Sequence, residues 1–181
     1  DKKEMLIYGI KGDRLNKFKD VASVFDYGIK IVEDNQIHCK VGAIMGEPGY
    51  KCQPEENDPF DIEFILFINI KNDDLYDFIA ALKEVDLYFP NKALLTANNI
   101  DWTLKFLFKE NKEEHEVMTL YGQLRRAYAV GKNILESGKG DENLEKSLQA
   151  AKDYMNPREF DFDELKSIYN NLAIAVNKNL G

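Results

Sequence analysis

Soft metal ligands and redox groups are scarce in this chain. Apart from methionines, its 181 residues offer only Cys39, Cys52, His38 and His115. No CxxC or HxxxH spacing joins them, and neighbouring His38 and Cys39 point in different directions on either a helix or a strand. We therefore expect no metal and no cofactor. One disulfide can be drawn across the Cys39–Cys52 interval, but two cysteines do not make a disulfide framework, and free thiols in a reducing compartment are the expected state. No apolar run approaches the roughly 20 residues needed to span a bilayer; the longest, DIEFILFINI, is of strand length. The chain opens DKKEM, without the apolar core of a signal peptide, so a cytoplasmic protein with no membrane contact is expected. Nucleophile elbows of the G-x-S-x-G kind are missing. Tyr8–Gly12, YGIKG, lacks the glycines and the Ser or Thr of a phosphate loop. No reaction is legible, and the reading inclines against an enzyme.

Basic clusters are also missing. The formal net charge is −8, and residues 1–118 carry all of it, with 15 Lys/Arg against 23 Asp/Glu. Residues 119–181 are balanced, 9 against 9. An acidic module repels phosphate backbones, so nucleic acid is not an expected partner. The change in charge at this point divides the chain into an α/β module, residues 1–118, and a helical extension, residues 119–181.

Within the first part, Met5–Ile10 reads as a strand. Asp13 is placed to cap a helix whose apolar positions are Leu15, Phe18, Ala22 and Phe25, and Gly28 is placed to end it. Ile29–Glu33 is a second strand, and Ile37–Met45 a short helix. Gly46–Asp61, with three prolines, two glycines and five acidic residues, is a long surface connection that is either functional or mobile. The plan then repeats. Ile62–Ile70 is a strand apolar enough to be buried on both faces, Asp73 starts a helix with Leu75, Phe78, Ile79 and Leu82 inward, and Lys92–Thr96 is the fourth strand. IKGDRL at Ile10–Leu15 aligns with IKNDDL at Ile70–Leu75, an offset of 60 that also matches Leu6 with Leu66 and Phe18 with Phe78. With three more residues in the second copy, Asn35 matches Asn98 and Val41 matches Leu104. The expected fold is α/β or α+β, a small four-stranded sheet built from two βα-βα halves, with parallel strands within each half. A mainly parallel and a ferredoxin-like sheet both remain open.

Asp101 is placed to cap a helix starting at Trp102, and helical spacing continues almost to the end. Val117, Leu120, Leu124, Tyr128, Gly131 and Leu135 form one stripe. Ser137–Asp141 breaks it. Leu144, Leu148, Ala151 and Met155 form the next, Asn156–Asp163 breaks the chain again with Asp163 as cap, and Leu165, Ile168, Leu172, Val176 and Leu180 form the last. Tyr121, Tyr128, Tyr154, Phe160, Phe162 and Tyr169 are too heavy an aromatic load to leave in water, so these helices should pack on each other, on the sheet module or on a second chain.

Thr96, Asn99, Trp102, Thr103 and the later Glu114-His115 spell T-x-x-N-x-x-W-T-L…E-H. Over about residues 5–118 the chain resembles a bacterial family catalogued as a domain of unknown function, number 3783, departing from its pattern at Ala97 and Asp101. The resemblance implies no activity. The candidate ligand site is Thr96, Asn98, Asn99 and Thr103, where a strand ends and a helix begins, an edge at which open sheets bind ligands and free N–H groups favour anions. The same residues serve equally as turn and cap. Trp102 reads as a core anchor, and Glu113, Glu114 and Glu116 around His115 as a solvated helix face. Two functions follow: a non-catalytic binding or regulatory module that meets a protein partner or a second copy through its C-terminal helices, or a small-molecule or anion-binding protein with its site at Thr96–Asn99.

Overall fold

The computed structural model describes residues 1–155 and 161–180. The chain forms two compact units, Asp1–Lys112 and Glu113–Gly181. Their boundary lies six residues before the expected one, inside a continuous helix.

In the first unit the elements run β1 (Glu4–Tyr8), α1 (Gly12–Val24), β2 (Gly28–Ile31), a 3-10 turn (Asp34–Gln36), α2 (Val41–Met45), β3 (Phe64–Ile68), α3 (Asn72–Glu84), β4 (Lys92–Leu94) and a second 3-10 turn (Asn99–Asp101) before α4 (Leu104–Glu136) begins. The four strands make one sheet in the order β2-β1-β3-β4. β1 pairs parallel with β2, and β3 parallel with β4, while β1 and β3 meet antiparallel at the centre. The sheet is therefore mixed, with two of its three pairings parallel, and is not the all-antiparallel ferredoxin-like kind.

The register at the centre pairs Leu6 with Leu66, flanked by Met5–Phe67 and Ile7–Ile65. Leu6 and Leu66 are also the residues matched by the sequence offset of 60, so equivalent residues face each other and a local twofold axis passes between them. α1 and α3 begin and end at positions separated by that same offset. The edge strands obey the longer offset of 63: Met5 opposite Ile29 corresponds to Ile65 opposite Lys92, and Leu6 opposite Lys30 to Leu66 opposite Ala93. A second point of symmetry lies off the sheet. Lys40 and Thr103 form an isolated antiparallel bridge, with Val41 N–H donating to Trp102 O (2.9 Å) and Leu104 N–H to Cys39 O (3.0 Å). These two bonds exchange under the offset of 63.

Alternation along β1 and β3 sends side chains to both faces, and both are covered. On one face Met5, Ile7, Ile65 and Phe67 pack under α1 and α3, where Phe78 contacts Phe18, Phe25, Tyr27 and Phe67. On the other, Leu6, Tyr8, Phe64 and Leu66 pack with Ile37, Val41, Ile44, Leu104 and Phe108. Phe108 is fully buried among the rings of Tyr8, Phe60 and Phe64. Trp102, expected to be the anchor here, is only half-buried and lies edge-on to Phe106.

Helix ends differ from the sequence reading in detail. Asp13 and Asp73 sit inside the first turns of α1 and α3, where a carboxylate still complements the helix dipole, and the N-cap positions are Lys11 and Lys71. After these helices the left-handed residues are Asp26 (φ 57) and Asp86 (φ 59), while Gly28 already belongs to β2. Thr103, not Asp101, caps α4, its Oγ1 accepting from Phe106 N (3.1 Å).

The second unit contains the rest of α4, with α5 (Glu142–Tyr154) and α6 (Phe162–Leu180). Its core holds Leu124, Leu144, Leu148, Ala151, Tyr154, Leu165, Leu172, Ala175 and Val176, with Tyr121, Tyr128 and Tyr169 packed against it. These tyrosines thus pack within the helical unit itself. Phe162 is 37% exposed and Leu180 62%, outside the core expected for them, and Phe160 lies outside the described residues. Gly131 marks a close approach: a Cβ there would meet Leu148 at 2.9 Å and Val176 at 3.2 Å. Asp141 caps α5, accepting from Leu144 N (2.8 Å). Asp161, not Asp163, caps α6, accepting from Glu164 N (3.1 Å). Among the described residues no helix is long and apolar enough to cross a membrane.

Phe108→Ala removes the buried ring at the centre of one sheet face and should cost about 3–5 kcal/mol in urea denaturation. Trp102→Ala should cost less, since part of the indole is already in solvent. A reversal of that order would place the anchor of this face at Trp102.

Candidate functional site

The carboxyl ends of β1 and β2 and the amino end of β3 open onto one cleft of about 430 Å³. Tyr8–Lys11, Ile31–Asp34 and Pro59–Glu63 supply its lining. Strand ends splay here because each chain must leave the sheet, and Gly9 permits the turn: it has φ +77, and a Cβ would fall 2.0 Å from Ile62 O. At the base of the cleft the Tyr8 hydroxyl donates to Asp34 Oδ1 (2.5 Å) and accepts from Phe60 N (3.0 Å). Burial, and then the bond to Asp34, push the Tyr8 phenol above its usual value, so it stays a neutral donor. The rim carries Glu33, Asp34, Asp61 and Glu63 against Lys11. Glu63 is occupied by a two-bond pair with Arg14, at 2.9 and 2.8 Å. This acidic rim does not favour a phosphate, in keeping with the rejected phosphate-loop reading.

The connection between α2 and β3 closes one side of the cleft and is fastened along its length. Glu55 N–H donates to Asn35 O (3.0 Å), the Asn57 amide to Asp34 O (3.1 Å), and the Tyr50 hydroxyl to Asp101 Oδ1 (2.5 Å). Cys39 and Cys52 are joined as a disulfide in this structure, where the sequence reading expected free thiols in a reducing compartment. His38 stands beside the two sulfurs rather than apart from them. Its Nε2 lies 3.4 Å from Cys52 Sγ, 3.6 Å from Cys39 Sγ and 2.8 Å from Gln53 O, and its Nδ1 lies 2.8 Å from the Asn57 amide nitrogen. Since Asn57 also donates to backbone carbonyls, Nδ1 is the acceptor and Nε2–H donates to Gln53 O. The spacing search missed this cluster because the connection returns Cys52 to its neighbours from 13 residues away. His115 belongs to the helical unit.

Thr96, Asn98 and Asn99 form the turn after β4, and Thr103 caps α4. Thr96 N–H donates to Asn99 Oδ1 (2.7 Å), Asn99 N–H to Thr96 Oγ1 (3.0 Å), and the Asn99 amide to Leu94 O (2.9 Å). Asn99 is buried and Asn98 exposed. Thr96, Asn99 and Thr103 thus direct their polar atoms at the local backbone. Asn98 is the repeat equivalent of Asn35, so the 430 Å³ cleft opens at the symmetry-related edge, the end of β2 rather than that of β4. Pro59–Glu63 wall only the first edge, and the length of the Gly46–Asp61 connection was the available signal.

Tyr8→Phe leaves Asp34 and Phe60 N–H without their partner and should cost about 1–3 kcal/mol. The Tyr8 pKa is raised by folding, so the native state holds this proton more tightly than the unfolded chain. Its contribution is complete below the unfolded value of about 10 and is lost as pH rises through the folded value. Denaturation midpoints measured across this alkaline range should fall more steeply in the wild type than in Tyr8→Phe. Parallel curves would contradict the assignment.

No curated protein and no solved structure gives a significant match to the chain. The family comparison falls on the second half of the repeat and the turns that follow it: residues 63–118, from the start of β3 into α4, match the family model described as a domain of unknown function, DUF3783.

Proposed function

We propose that this chain is a non-catalytic binding or regulatory module of the cytoplasm that works through protein contacts made by its C-terminal helices, with neither nucleic acid nor membrane as partner. The observation that carries the reading is an apolar trough along α4 and α6. Two adjoining hollows of about 350 and 420 Å³ share Gln123 and Tyr169. Leu120, Ala127 and Val130 line one side, and Phe162, Ala173 and Leu180 the other. On α6 these positions recur at helical spacing beside the buried Leu165–Leu172–Val176 stripe, which meets the trough at Val176. Val130 is 42% exposed and Leu180 62%, an arrangement suited to another helix laid in a groove.

A second copy of the chain is the occupant we favour. Net charge opposes self-association through residues 1–118 but not through the balanced residues 119–181. A twofold pairing of α4 and α6 with their counterparts would make a four-helix contact. The alternative, a small-molecule or anion site at Thr96–Asn99, has weaker support because Thr96 and Asn99 commit their side chains to the turn.

Sedimentation velocity of the full chain at micromolar concentration should show a dimer. Val130→Glu with Leu180→Glu should return it to a folded monomer with only a modest fall in the thermal midpoint, because Leu180 is mostly exposed and Val130 is 42% exposed. A wild-type chain that stays monomeric throughout that range would defeat the second-copy reading.

A further inference from the structure

His38, Cys39 and Cys52 are used neither by the cleft nor by the trough. We propose that, once the disulfide is reduced, these three residues bind one soft d10 cation, zinc, through His38 Nε2, Cys39 Sγ and Cys52 Sγ. The proposal departs from the expectation of no metal, which rested on the small number of soft ligands, their spacing and the directions of His38 and Cys39.

Geometry is the first support. The three ligand atoms lie within 4.8 Å of one another. A tetrahedral zinc with Zn–N of about 2.0 Å and Zn–S of about 2.3 Å holds nitrogen and sulfur about 3.5 Å apart. The two His38 Nε2–sulfur distances, 3.4 and 3.6 Å, already have that length. Only the sulfur–sulfur edge has to open, to about 3.8 Å. The two cysteines are unequally held in a way that allows this. Cys39 is buried, its N–H donating to Gln36 O (2.9 Å) and its carbonyl accepting from Leu104 N (3.0 Å) at the twofold seam. Cys52 is exposed to solvent, so its side chain is the one with room to turn.

Asn57 is the second support. A metal-bound histidine is oriented through its other ring nitrogen, and Asn57 already lies 2.8 Å from His38 Nδ1. Freeing the Nε2 lone pair moves the ring proton to Nδ1, and Asn57 receives it through its carbonyl oxygen only by turning its amide and giving up the bonds to Asp34 O and Glu55 O. Glu55 Oε2, 3.9 Å from Nε2, is within reach of the fourth coordination position, which water can fill instead.

The chemistry balances with an external dithiol as reductant. Its thiolate attacks the exposed Cys52 sulfur and expels Cys39 as thiolate, and its second thiol then displaces Cys52 and leaves as a disulfide. Two electrons and two protons pass to the protein. Zinc then displaces the two thiol protons, giving two thiolates and one neutral imidazole around the ion. In a reducing compartment the open form is the one expected, so the site is compatible with a cytoplasmic protein.

The test uses the full chain, reduced with a phosphine and titrated without oxygen with Co²⁺ and then Zn²⁺. One cobalt per chain should bind, with a thiolate-to-cobalt band in the near ultraviolet that zinc abolishes, and the oxidised chain should bind none. Cys52→Ser should lose the band. Asn57→Ala, which touches no metal, should keep the band and weaken binding by about 10–100-fold. The proposal is overturned if the reduced wild type takes up no metal at micromolar concentration, if the oxidised chain binds equally well, or if folded His38→Ala and Cys52→Ser bind as the wild type does.

Discussion

The sheet unit depends on one pairing, β1 against β3, centred on Leu6 and Leu66. Both strands are central, and every described β3 residue is buried. This pairing brings two strand-helix-strand halves together antiparallel about the twofold axis and assembles a continuous apolar surface on each face of the sheet. Neither half could cover its own strand: α1 and α3 share one face, and α2 shares the other with the start of α4. The reciprocal bonds around Lys40 and Thr103 repeat the same symmetry on the outer layer. Hydrophobic burial and backbone satisfaction therefore converge on one local axis.

Departures from this symmetry carry the candidate functional features. In the first half the segment after the seam is a five-residue helix, α2, followed by the long fastened connection. In the second half the equivalent segment is α4, 33 residues long, which continues past Lys112 into the helical unit. The first half thereby gains the Tyr8–Asp34 cleft and the His38, Cys39 and Cys52 cluster. Its counterpart gains the helix on which the proposed protein contact is built. Tyr50 links the two: its hydroxyl reaches Asp101, and its ring fills the space a Cβ on Gly42 would take, at 2.8 Å.

The strands, the helices and the offset of 60 were legible because local apolar periodicity and the IKGDRL and IKNDDL segments encode them directly. Strand order was not legible, since nothing in β1 names β3 as its neighbour until both faces are seen to be covered. Asp13, Asp73 and Asp163 were read as caps because aspartate is favoured both at the N-cap and in the first turn, and composition alone does not separate the two positions. Trp102 drew the core assignment by size, whereas Phe108, six residues further along the chain, points into the aromatic cluster. Thr96 was read as the end of the fourth strand, whereas β4 ends at Leu94 and Thr96 already belongs to the turn, whose hydrogen bonds are directed inward. The Cys39–Cys52 contact depends on how a proline-rich connection folds back, which no local pattern carries.

The central claim is that the two halves are one cooperative structure held at the Leu6–Leu66 axis. Native-state hydrogen exchange of the β1 and β3 amides tests it most directly. The account predicts that Met5–Tyr8 and Phe64–Ile68 exchange only through a shared opening, with free energies agreeing to within about 1 kcal/mol and falling together in denaturant. Amides of one half that open well below those of the other, through a partly unfolded form, would contradict it.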